Sequence, residues 1–100
     1  MTLTERLAKE GRLRILQLLS EQVDHRLSAP HIRRELSERW VITRSEEWLT
    51  QQLAALCELG AVTLHMVAGR TVAQLAHAGA EHLERLTALP GVLPPDPPRG

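Results

Sequence analysis

Apolar and polar positions alternate most clearly between residues 43 and 75. Leu49, Leu53 and Leu56 recur at spacings of four and three, which sets them on one helical face. Leu59-Gly60 closes that pattern, since glycine adopts the left-handed turn beyond a helix end at little cost. Val62, Leu64 and Met66 then alternate with Thr63, His65 and Val67, the period of a strand. Ala68-Gly69-Arg70 reads as a tight turn and residues 72–75 as a second short strand.

Upstream, residues 4–22 predict a first helix with Thr4 as N-cap. Ala8, Ile15, Leu16, Leu19 and Val23 form its apolar stripe, and Leu3, Leu7, Leu13 and Leu18 widen it. A helix apolar over so much of its girth is either buried on several sides or pairs with a second copy of the chain. Gly11 costs about 1 kcal/mol against Ala inside a helix, so a start at Arg12 is the alternative. Residues 24–27 read as a loop.

Ser28 caps a second helix, and Pro30 sits in its first turn, where a missing N–H does no harm. Ala29, Ile32 and Leu36 face inward; His31, Arg33, Arg34, Glu35, Glu38 and Arg39 face out. Residues 40–42 leave this helix as an extended piece able to join the hairpin as a third strand, with Trp40 plugging the core. The third helix begins at a Thr43-to-Glu46 capping box or at Ser45, and ends near Leu59. A last helix over about 80–89 presents Leu83 and Leu86 to the core or a partner, and Pro90 stops it. Residues 90–100 hold five of the six prolines and predict an extended, flexible tail that is a frayed end or a docking peptide.

Helix, helix, helix, hairpin and helix together predict a mainly α protein. The expected fold is a winged helix-turn-helix: a three-helix core, a two-stranded β-wing and a C-terminal helix, with domain 1–89 and tail 90–100.

Totals narrow the functions open to it. One hundred residues make one small domain, and 43% apolar residues suffice for a single core. Lysine and arginine balance aspartate and glutamate at 12 each, so any nucleic-acid contact must come from a local patch. The lone Cys57 permits no internal disulfide and is expected to be a small buried apolar residue. No apolar run is long enough to span a membrane, and residues 1–6 lack the apolar core of a signal peptide, so a cytoplasmic protein is expected. No metal site or cofactor is expected. His77 and His82 are five apart, and His25, His31 and His65 lie on three different elements. No phosphate loop, Gly-x-Ser-x-Gly or close Cys/His pair is present, so no enzymatic activity is expected.

The chain resembles winged-helix regulators of the ArsR and MarR type. More closely, it looks like the short ArsR-like proteins of Mu-like bacteriophages and prophages. The resemblance is carried by residues 12–19, by Gly60-Ala61-Val62-Thr63-Leu64 and by Val67-Ala68-Gly69. Val72-Ala73-Gln74-Leu75 and Pro90-Gly91-Val92 continue it, with Leu75-Ala76-His77-Ala78-Gly79 as the step into the last helix. It implies the winged-helix fold, a bacterial host cell and pairing through the first and last helices.

Two functions follow as expectations. One is double-stranded DNA binding, in which the third helix enters the major groove by its N-terminal end. Arg44, Ser45, Trp48, Thr50 and Gln51 are then the outward residues nearest base edges. Arg33, Arg34 and Arg39 lie over phosphates, and Arg70 stands at the wing tip. Glu46 and Glu47 oppose this by placing carboxylates at the end that should meet DNA. The other is a protein-interaction adaptor on the same scaffold, favoured by zero net charge, those glutamates, an outward Trp48 and the proline tail. Either allows a homodimer, with Leu3, Leu7, Leu18, Leu83, Leu86 and Leu89 as candidate interface residues.

Overall fold

The computed structural model describes residues 2–96. Helix α1 (Leu3–Glu21) is capped by Thr2, whose side chain accepts the Glu5 N–H at 3.1 Å. The cap is thus Thr2 rather than Thr4, which lies inside the first turn of the helix. The helix runs unbroken through Gly11. It packs against every later layer, which buries Leu13, Ile15, Leu16, Leu18 and Leu19 within one subunit. Leu18, expected at a dimer surface, is therefore a core residue at 1% exposure.

Strand β1 (Arg26–Ser28) leads into helix α2 (Ala29–Trp40). The turn that follows begins at Val41, in the left-handed region at φ 57°, with the Ile42 N–H bonded to the Leu36 carbonyl at 3.0 Å. Residues 40–42 therefore do not form the third strand; β1, expected as loop, supplies it. Ile42 is buried, while Trp40 is only half-buried, its ring facing the Arg14 and Arg39 guanidinium groups at 5.1 and 4.5 Å.

Helix α3 (Glu46–Glu58) starts at Ser45, whose Oγ accepts the Trp48 N–H at 3.1 Å. Thr43, the other candidate cap, hydrogen-bonds Ser37 instead, at 2.8 Å between hydroxyls. Leu49, Leu53 and Leu56 are buried as expected, and Gln52 joins them. Cys57 lies roughly a quarter-turn off the centre of that stripe and is exposed, not buried.

Strands β2 (Val62–Val67) and β3 (Arg70–Leu75) form the hairpin, in register Val67↔Arg70 at its tip. Ala68 and Gly69 both take positive φ, 51° and 76°, the turn whose twist suits an antiparallel pair. The sheet is antiparallel with order β1-β3-β2. Helix α4 (His77–Leu83) is shorter than the periodicity predicts. It ends because Arg85 turns left-handed at φ 62° and buried His82 takes the Leu89 N–H that a continuing helix would need.

Residues 90–96 form no helix or strand, yet they are not a free tail: Val92 is buried and Leu93 packs on the core. Residues 97–100 of the expected tail lie outside the described residues. No helix of the described residues is long and apolar enough to cross a membrane.

Candidate nucleic-acid interface

Helix α2, the α2–α3 turn, the start of α3 and the wing tip converge on one concave face. Two adjoining hollows mark it, of about 330 and 240 Å³. The first lies between α2 and the turn and is lined by Arg33, Arg34, Ser37, Glu38, Arg44 and Glu46. The second lies under the wing and is lined by Arg33, Glu46, Thr50, Gly69, Arg70 and Thr71. Pro30, Arg33 and Glu46 border both, so the hollows form one continuous depression.

Local chemistry sets these positions. Val41's left-handed turn breaks α2 from α3 within a few residues, so Arg44 stands on the connection itself. Arg33 Nε donates to the Arg44 carbonyl at 2.8 Å, fastening that connection to α2. Its Nη1 lies 3.9 Å from Glu46 Oε1, so Arg33 is partly neutralised. Arg34, Arg44 and Arg70 are exposed and, among the described residues, have no ion pair. The depression thus offers four arginines against the carboxylates of Glu38 and Glu46.

Of the residues expected to meet DNA, Arg33, Arg34, Arg44, Thr50 and Arg70 are brought together here. Ser45 is exposed but its hydroxyl is occupied as the α3 cap, and the Thr50 hydroxyl donates to the Glu46 carbonyl at 3.0 Å. Gln51 is exposed on α3 but borders neither hollow.

Trp48 and Arg39 depart from expectation. Trp48 turns inward and lies half-buried on α1: a Cβ added at Gly11 would sit 2.6 Å from its ring. The missing side chain at Gly11 makes the room that draws this indole off the surface. Arg39 points to the far end of α1, where it grips Glu21 through two hydrogen bonds of 2.6 and 3.0 Å. That bond holds the Glu21 carboxyl below its ordinary value and raises the Arg39 guanidinium above its own.

Reasoning from sequence missed how central Glu46 is. Its place after the cap set it, with Glu47, at the end of α3 that should meet DNA, but did not mark it as the border of both hollows. Among the proposed interface leucines, Leu3 and Leu86 are exposed at 83% and 66%, whereas Leu7, Leu83 and Leu89 are half-buried against the core. Among the described residues no cluster of three potential metal ligands exists.

No protein-family model matches the chain, and no curated protein matches it. A solved structure does: F93 from STIV, a winged-helix DNA-binding protein, is similar over 86% of each chain, with a TM-score of 0.61 and 19% sequence identity. That likeness, together with the helices and sheet above, defines the class. The chain has a winged-helix fold, with β2–β3 as the wing and α2–α3 as the helix-turn-helix.

Proposed function

We propose that this protein is a DNA-binding transcription regulator that acts as a homodimer, with α3 entering the major groove by its N-terminal end. The observation that carries this reading is the gathering of Arg33, Arg34, Arg44 and Arg70 around the start of α3 on one concave face. Arg44 is the side chain for a guanine edge, Gln51 the one for adenine. Arg33 and Arg34 lie over phosphates, and Arg70 follows the backbone or the minor groove. The fold likeness to a winged-helix DNA-binding protein supports the same reading. The order of short motifs along the chain supports a place among ArsR/MarR-like regulators of Mu-like phages, working in the cytoplasm of the bacterial host. Its role is to bind, not to catalyse.

The test is retention of the purified protein on duplex DNA at low salt. Retention is expected; Arg70→Ala lowers the salt slope by about one per subunit, and Arg44→Ala costs about 1–3 kcal/mol of binding and relaxes the preference for one base. Absence of retention at low salt overturns the reading.

A protein adaptor is the second reading, and Glu46, bordering both hollows, favours it. Two of its other supports are weakened, because Trp48 is turned inward and residues 90–96 are docked. Its outcome is a protein captured from host extract by wild type and lost with Glu46→Lys, without retention on DNA.

A further inference from the structure

His82 on α4 is 2% exposed and spends both ring nitrogens on the chain's own C-terminal segment. Nδ1 accepts the Leu89 N–H at 3.0 Å, so Nε2 carries the proton and donates to the Leu93 carbonyl at 2.8 Å. Two arginines read neighbouring carbonyls. Arg12 Nη1 donates to Gly91 O at 3.0 Å, and Arg85 Nη2 donates to Pro95 O. The Leu93 N–H returns a bond to the Lys9 carbonyl at 3.3 Å. Alternate carbonyls at 91, 93 and 95 are thus each held by a side chain, while Val92, between them, is buried at 7% exposure. Main-chain capture with one apolar anchor is how a groove binds an extended peptide. Between α1 and α4 the fold has built such a groove for its own last residues.

The connection from α4 to this strap, residues 84–88, is short and exposed. It closes only because Arg85, which has a Cβ, is held left-handed at φ 62°. It also leaves Leu86 on the surface. A short strained hinge before a self-sufficient docking segment is the arrangement that invites exchange between copies.

We propose that residues 89–96 are exchanged between two copies, each strap seated in its partner's groove on His82 and Arg12. Exchange keeps the strap contacts of His82, Arg12 and Lys9 and releases Arg85 from its left-handed turn. It lays the two opened connections side by side, where Leu86 becomes covered. The inference rests on the homodimer reading and names the element that makes the dimer; it is independent of what α3 binds.

The test uses full-length chains. Val92→Asp spoils the strap and leaves the groove intact; His82→Ala spoils the groove and leaves the strap intact. In an exchanged dimer, co-refolding the two gives a mixed dimer with one wholly intact strap-and-groove pair, which neither variant has alone. Mixed dimers should therefore outnumber the two homodimers together several-fold in native mass spectrometry, against the one-to-one ratio that random pairing gives. A statistical proportion overturns exchange and leaves the homodimer reading standing through another surface. A wild-type chain that is monomeric at hundreds of micromolar overturns both. Insertion of two glycines between Thr87 and Ala88 guards against misfolding of the other variants: it leaves every groove and strap residue in place, relaxes the connection, favours the closed chain and raises the dimer dissociation constant several-fold. An unchanged constant counts against exchange.

Discussion

The indole of Trp48 lies against the bare Cα of Gly11, so that a Cβ there would meet the ring at 2.6 Å. This contact fixes α3 on α1 and decides which face of α3 is left for a partner. Gly11→Ala gains about 1 kcal/mol of helix propensity but forces the indole to move, and overpacking of this kind costs about 1–3 kcal/mol. A net loss of stability is expected, read as a fall in melting temperature of several degrees. Trp48 fluorescence should shift to the red as the ring is pushed toward water. A variant as stable as wild type with unchanged fluorescence would contradict the contact.

Glu46 is the carboxylate within the arginine face, 3.9 Å from Arg33. Glu46→Gln frees Arg33 and removes a negative charge that would oppose phosphates on this face. One such charge is worth about 1 kcal/mol in water at contact distance, so binding to duplex DNA at low salt should tighten about fivefold. The gain should vanish at high salt. The same change removes a favourable charge from the α3 N-terminus, so stability should fall slightly, by about 0.3–1 kcal/mol. A variant that binds DNA no better at low salt would argue against this face as the DNA surface.

Val41 ends α2 at φ 57° with 84% of its surface exposed. A β-branched residue is poorly suited to that conformation, and little packing depends on it. Val41→Gly should raise stability by about 1 kcal/mol, measured by urea unfolding, with the arginines of the concave face unaffected. A loss of stability would show that the turn is held by contacts of the valine itself.

Glu21 and Arg39 tie the C-terminal end of α1 to that of α2. Because the bond to Arg39 lowers the Glu21 pKa in the folded state, the stability it contributes is complete above the ordinary value of 4.5. It is lost as pH falls through the lowered folded value. Both groups are solvent-exposed, which limits the pair to under about 1 kcal/mol. Glu21→Gln should therefore melt slightly below wild type at neutral pH and coincide with it in strong acid. An equal gap at both extremes would mean that the glutamate acts through something other than its charge.

Period and turn chemistry made most of the fold legible in the sequence. Leu49, Leu53 and Leu56 marked the buried face of α3, the alternation at 62–67 marked β2, and Ala68-Gly69 marked the wing turn. These features are local, set by which neighbours share a face and which residues tolerate a left-handed backbone. Arg33, Arg34, Arg44, Thr50 and Arg70 were legible for the same reason: each stands at a position that the local pattern turns outward.

What the sequence could not decide was the fate of residues whose partners are distant along the chain. The sequence alone determined four helical segments, a hairpin and the outward arginines. Only tertiary structure decided that Leu18 belongs to the core, that Arg39 closes on Glu21 and that Trp48 fills the space above Gly11. It likewise decided that the strand beside β3 comes from residues 26–28, and that the prolyl segment docks on His82. The physical reason is common to all of these. A side chain on the flank of a helix, or a three-residue strand, has no periodicity to declare itself, and its environment is set by what other elements leave open or fill.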